Sequence, residues 1–213
     1  MKITKFGHCC LLIETKKARI VTDPGCYNKT PSLKHIDAIL ITHEHQDHLH
    51  IPALKKILKT NKDALVVSHK SVGTILEKEN IPYFLLKDKE TISIHGIPVT
   101  SFGTKHACIH HELPLVQNTG YLINKTLYYP GDALHVPQAP VKILALPVAG
   151  PWLKIEDAIE FAKKVKPKIV FPVHDGMLRQ GIELGPTRRL PTTLLSKHRI
   201  KFIDMGEGDT KEF

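Results

Sequence analysis

Ile36-Asp37-Ala38-Ile39-Leu40-Ile41 runs directly into Thr42-His43-Glu44-His45-Gln46-Asp47-His48. The first segment is almost wholly apolar, which suits a strand covered on both faces. The second packs three imidazoles and the Asp47 carboxylate into six residues. In extended backbone His43 and His45 project to the same side, two residues apart. A turn into a helix before Pro52 brings Asp47 and His48 round to a neighbouring point. Two pairs placed in this way suit two adjacent divalent ions better than one, zinc above all.

Outward from this strand the pattern is regular. Upstream, residues 3–6, 10–14 and 19–22 are short β-prone runs, and Asp23-Pro24-Gly25 closes the third with a turn. Downstream, residues 52–59 read as a short helix, 64–68 as a strand and 71–79 as a helix. Strands follow at 83–86, 91–94, 98–102, 120–123 and 126–129, and 141–147 is a second strand of the buried type. Ile155, Ala158, Ile159 and Ala162 mark an amphipathic helix ended by Pro167. A strand at 168–173, a helix at 192–198 and a strand at 200–203 complete the chain. The two halves repeat one order, several strands and then alternating strand and helix, with no low-complexity linker between them. The expected architecture is therefore a single α+β domain over 1–213, a four-layer αββα sandwich with an internal pseudo-repeat.

Composition narrows the function classes. The 213 residues are 42 % hydrophobic and 24 % charged, which excludes a disulfide miniprotein, a collagen-like chain and a disordered tail. No signal peptide is apparent in MKITKFGHCCLLIETKKARIV, and no run approaches the ~18 apolar residues of a membrane span. A cytoplasmic protein with free, buried thiols at Cys9, Cys10, Cys26 and Cys108 is expected. The formal charge of +9 comes from dispersed basic residues that are not interleaved with aromatics. It reads as a solvated surface or an attraction for small anions rather than a nucleic-acid groove. The 14 histidines are the unusual feature.

His43-x-His45-x-Asp47-His48 resembles the signature of the metallo-β-lactamase-fold hydrolases. Within them the chain is most similar to small metal-dependent hydrolases related to the ascorbate-6-phosphate lactonases. Gly7-His8-Cys9-Cys10 and Thr22-Asp23-Pro24-Gly25 stand where those proteins carry a G-H-S-C-like segment and an I-D-P turn, with Cys9 in place of the usual Ser. The likeness runs nearly end to end. Further ligands fall at strand ends: His106 after 98–102, Asp132 in Pro130-Gly131-Asp132, and His174 after 168–173. The resemblance implies His43, His45 and His106 around one metal, Asp47, His48 and His174 around the other, and Asp132 bridging them. His110 and His111 compete with His106, which is preferred because it directly follows a strand.

Other positions stay open. His8 stands near the site by resemblance, or is a satisfied core histidine. Asp23 orients a ligand imidazole, or only starts the Pro24-Gly25 turn. His135 is a candidate proton donor or substrate contact. His35, His50, His69, His95 and His198 read as surface or loop residues. The expected function is hydrolysis of a small ester, lactone or phosphorylated substrate by a hydroxide bridging two zinc ions, with Asp47 ligating a metal and orienting the water. Manganese or iron suits the same ligands. The alternatives are a phosphodiesterase acting on RNA or DNA, a metal-stabilised nucleic-acid-binding module and a redox di-iron protein; association into a homo-oligomer is left open.

Overall fold

The computed structural model describes residues 1–28, 32–178 and 185–213. In the first half, β1 (Lys2–Lys5), β2 (Leu11–Glu14) and β3 (Arg19–Thr22) pair antiparallel. β4 (Ala38–Leu40), β5 (Leu65–Ser68) and β6 (Phe84–Leu85) then add in parallel, with α1 (Ile51–Thr60) and α2 (Lys70–Lys78) as crossovers. The second half repeats this plan. β7 (Thr91–Ile94), β8 (Ile97–Phe102), β9 (Gly120–Ile123) and β10 (Leu127–Tyr129) pair antiparallel. β11 (Ile143–Pro147), β12 (Ile169–Val173) and β13 (Lys201–Phe202) add in parallel, connected by α3 (Ile155–Val165) and α4 (Pro186–Ser196). β14 (Thr210–Glu212) returns to pair antiparallel with β1, as β7 does with β8.

Three hydrophobic clusters separate four layers. Side chains alternate along each strand, so successive residues enter different clusters. Ala38 and Leu40 of β4 join Leu11, Ile13, Tyr121, Ile123, Ile143 and Ala145 between the two sheets. Ile39 and Ile41 point the other way, onto Leu54 and Ile57 of α1 and Val72 and Leu76 of α2. On the far side Leu144 and Leu146 of β11 meet Ala158, Ile159 and Ala162 of α3 and Leu195 of α4. Burial on both faces is why the β4 and β11 segments read as unbroken apolar runs.

The differences from expectation have local causes. β14 has three exposed residues, Thr210, Lys211 and Glu212, so no apolar alternation announces it. α4 starts at Pro186, six residues before the expected start, and runs through a buried Pro191; Pro186 fits a first helical turn, where its missing N–H is not needed. Cys9 and Cys10 are buried free thiols packed into the hydrophobic clusters, but Cys26 and Cys108 are exposed in loops outside them. No helix among the described residues is long and apolar enough to cross a membrane.

One ion pair inside the sandwich is unusually deep. Lys5, at the end of β1, is 1 % exposed and donates to Pro172 O at 2.9 Å, Met205 O at 3.1 Å and Asp175 Oδ2 at 2.6 Å. Burial lowers its pKa, and Asp175 opposes that shift. Asp175 also accepts from Arg188, whose Nε reaches Asp204 at 2.7 Å. Removing Asp175 strands the buried Lys5 charge, whereas Asp175 without Lys5 keeps Arg188 as its partner. Asp175→Ala is expected to cost about 3–5 kcal/mol of unfolding free energy, and Lys5→Met is expected to cost less. Urea denaturation measures both, and equal losses in the two variants would contradict this account.

Candidate metal centre

The polar cluster lies at one edge of the two sheets, and its residues come from segments just past the carboxyl ends of strands. His43, His45, Asp47 and His48 follow β4, His106 follows β8, Asp132 follows β10 and His174 follows β12. His43, His48, His106, Asp132 and His174 are all buried, whereas His45 and Asp47 are partly exposed and form the open side. Asp23 and His174 both turn in left-handed backbone, at φ +34° and +59°, a conformation uncommon outside glycine that concentrates at functional sites.

The seven residues form two groups sharing Asp132. Ligating atoms of His43, His45, His106 and Asp132 lie within 4.8 Å of one another, and so do those of Asp47, His48, Asp132 and His174. His43 Nε2 and His45 Nδ1 are 3.0 Å apart. Around Asp132, His174 Nε2 lies 2.8 Å and His106 Nε2 3.4 Å from Oδ2, and His48 Nε2 lies 3.1 Å from Oδ1. Yet His48 Nε2, His106 Nε2, His174 Nε2 and Asp132 Oδ1 are buried and lack a correctly aligned hydrogen-bond partner among the described residues. Buried polar atoms are normally paired. Several orphans aimed at one another, all nitrogen or carboxylate donors, fit divalent metal ions.

The hydrogen bonds behind the rings support that fit. His48 Nδ1 donates to Asp23 Oδ2 at 2.7 Å, and Thr42 Oγ1 and the Tyr129 hydroxyl donate to the same oxygen, each at 2.6 Å. With its proton committed to Asp23, Thr42 Oγ1 accepts from His43 Nδ1 at 3.0 Å. His106 Nδ1 donates to Ala107 O at 2.5 Å. With a metal bound, all three imidazoles would thus keep their proton on Nδ1 and present the Nε2 lone pair, the tautomer a metal needs. His8 is held the opposite way. Its Nδ1 accepts from Gly176 N at 3.0 Å, so its Nε2 donates to Asp47 Oδ2 at 3.1 Å. His8 therefore positions a carboxylate rather than offering a lone pair.

Backbone approach fixes the carboxylates. Gly131, at φ +64°, packs so closely that a Cβ would sit 2.7 Å from Thr42 Cβ, and one on Gly25 would overlap the Asp47 carbonyl. Asn118 Oδ1 accepts from Asp132 N at 3.0 Å.

Burial, together with positive charge on His48, pushes the His43 pKa well below its ordinary value. Burial, then His106, also lowers His45. Burial opposes ionisation of Asp132, but His48 and His174 override it and hold its carboxyl well below the usual range. Burial likewise opposes Asp47, where the His8 hydrogen bond and the charge of His48 prevail and bring it to about 2.

Not every histidine expectation matches. His110 and His111 are exposed, whereas His106 is buried among the ligating atoms. His135 is exposed and lays its ring over Gly103, outside both groups. His69, read as a surface or loop residue, does lie in the loop before α2, but it is only 5 % exposed, and its Nε2 bonds the Thr42 carbonyl at 2.9 Å beneath the ligand loop. Trp152 was not anticipated at all: its Nε1 donates to Asp132 Oδ2 at 2.9 Å. As the only tryptophan, just past β11 in Gly150-Pro151-Trp152, it carried the same strand-end signal as the histidines. The Cys9 thiol lies with His8, His48 and His174 in a third buried group; burial would raise its pKa, but the imidazoles lower it to about 6.

Fold and cluster together define a metal-dependent hydrolase built on the metallo-β-lactamase fold. The chain belongs to the beta-lactamase superfamily, whose domain model matches residues 2–174. It is 33 % identical over 202 residues to Protein Rv0786c of Mycobacterium tuberculosis, covering 91 % of this chain and 94 % of that protein. It is 30 % identical over 188 residues to a UPF0173 metal-dependent hydrolase of Nanoarchaeum equitans, covering 82 % of this chain and 83 % of that one. Among solved structures it is similar to Igni18, a metallo hydrolase of Ignicoccus hospitalis, with a TM-score of 0.76 at 22 % identity over 100 % of this chain and 98 % of that one.

Asp23 touches no lone pair in the cluster yet holds His48. Asp23→Asn is expected to weaken metal binding about 10- to 100-fold with the fold kept. Competition with a chelating indicator, alongside circular dichroism, measures this, and unchanged affinity would show that His48 needs no such anchor.

Proposed function

We propose that the chain is a dinuclear hydrolase acting on a small-molecule ester, lactone or phosphorylated compound. Two zinc ions would be held by His43, His45 and His106 on one side and Asp47, His48 and His174 on the other, with Asp132 shared; manganese or iron suits the same donors. The observation that carries this reading is the set of orphaned, buried nitrogens converging on Asp132. When bound, such ions lower the pKa of coordinated water to about 7 and stabilise negative charge on a substrate oxygen.

The chain's own residues supply the remainder. Asp47 stands at the open side with 20 % of its side chain exposed, and His8 anchors its Oδ2. It orients the attacking water and accepts a hydrogen bond from it. Trp152 holds Asp132 Oδ2 from the flank and limits rotation of the shared carboxylate. Asp23, through Thr42 and directly, fixes the rings of His43 and His48. Overall, water adds across the acyl–oxygen or phosphorus–oxygen bond and the leaving oxygen gains its proton. His135 has no part in this reading, because it stands outside the cluster.

Two measurements test the proposal. The purified chain should contain about two equivalents of zinc or manganese by elemental analysis, and His45→Ala and Asp132→Ala should each lose metal and abolish turnover on a panel of esters, lactones and phosphate esters. Wild-type turnover by either variant would overturn the assignment. Metal removal gives a separate readout. Because ions bind the folded chain only, free metal at about 100 times the dissociation constant stabilises it by about 2.7 kcal/mol. A chelator should therefore lower the melting temperature of the parent chain and leave that of Asp132→Ala unchanged.

A further inference from the structure

The open side of the metal centre leads into a pocket with an apolar wall. This pocket, of about 380 Å³, is lined by His45 and His106 together with Ile109, Leu113 and Leu115 from the segment after His106. Among the described residues its lining includes no Lys, Arg, Asp or Glu; outside the metal cluster, Cys108, His110 and His111 are its ionisable groups.

The apolar residues are unusually open to solvent. Ile109 is 38 %, Leu113 54 % and Leu115 52 % exposed. Tyr27 and Met177 are also exposed and flank His8: Tyr27 meets its ring at 5.2 Å, and Met177 follows the Gly176 amide that bonds it. Five of the eight large apolar side chains exposed among the described residues thus lie in segments that follow Asp23, His106 or His174. Scattered exposed apolar residues are ordinary, but their concentration around one polar cleft marks a binding surface. A phosphate or carboxylate against this wall would find no Lys or Arg among the described lining residues to pair with, and desolvating it there would be costly.

We propose that the substrate joins its scissile bond to an uncharged apolar group, an alkyl or aryl acyl chain that lies against Ile109, Leu113 and Leu115. This rests on the hydrolase reading above and narrows it to substrates that carry an apolar acyl group. The charge of +9 then belongs to the solvated surface and not to recognition.

The test uses the zinc-loaded full chain and straight-chain carboxylates from acetate to octanoate, whose heads resemble the acid product. Trp152, bonded to Asp132 and 5.8 Å from the His106 ring, reports binding by its fluorescence. Affinity should rise about three- to fourfold per methylene. Leu113→Ser and Leu115→Ser, made singly, should each flatten that rise with zinc content unchanged. A flat series in the parent chain, or tighter binding of phosphoglycolate than of octanoate, would overturn the proposal. Hydrolysis of 4-nitrophenyl esters of the same acids separates the two readings. A rising binding series with no ester cleaved counts against the hydrolase and leaves the pocket assignment standing; cleavage with no dependence on chain length, beside a flat binding series, does the reverse.

Discussion

Asp132 is 2 % exposed and has three imidazole nitrogens within 3.4 Å of its oxygens. Taking a carboxylate out of water costs several kcal/mol, even after the protein relaxes. Hydrogen bonds recover that only in part here, since Oδ2 accepts from Trp152 while Oδ1 has no aligned donor among the described residues. The remainder has to come from positive charge at the centre. Much nearby architecture follows from holding this one group. Gly131 brings the backbone against Thr42, Asn118 accepts from the Asp132 amide, and Trp152 closes the flank.

The internal repeat explains why so many chemical groups meet at one edge. Each half lays down antiparallel strands and then parallel ones, so β4, β8, β10, β11 and β12 deliver their following segments to that edge. His43 to His48, His106, Asp132, Trp152 and His174 all lie within eight residues of those strands' ends. Asp23 after β3 and His8 after β1 arrive there in the same way. Open α/β sheets commonly bind ligands beyond the carboxyl ends of their strands, and here two stacked sheets do so side by side.

This geometry decides what could be read from the sequence. His43, His45, Asp47 and His48 were legible because their spacing is local and follows an apolar strand. His106, Asp132 and His174 were found only by joining strand ends to a family resemblance, because nothing local links residues so far apart. Trp152 obeyed the same rule and was missed, since an indole is not a metal ligand and its partner is known only from the fold. The burial of His69, a loop residue, was not legible for a related reason: it sits beneath the Thr42 carbonyl, a contact 27 residues away. β14 was invisible because all three of its residues stay exposed and leave no apolar alternation to read.

The two halves also have to be held in register if ligands from both are to meet. Apolar contacts between the sheets are non-directional. Two tyrosines from the second sheet supply the direction. Tyr121 on β9 donates across the core to the Ile41 carbonyl at 2.8 Å, and Tyr129 on β10 donates to Asp23 at 2.6 Å. Burial and the nearby Asp23 raise both phenol pKa values, so each stays a neutral donor. Ile41 directly precedes the ligand loop, and Asp23 holds His48. The bonds that fasten sheet to sheet therefore end on Asp23 and on the start of the ligand loop, which couples assembly of the sandwich to the geometry of the metal centre.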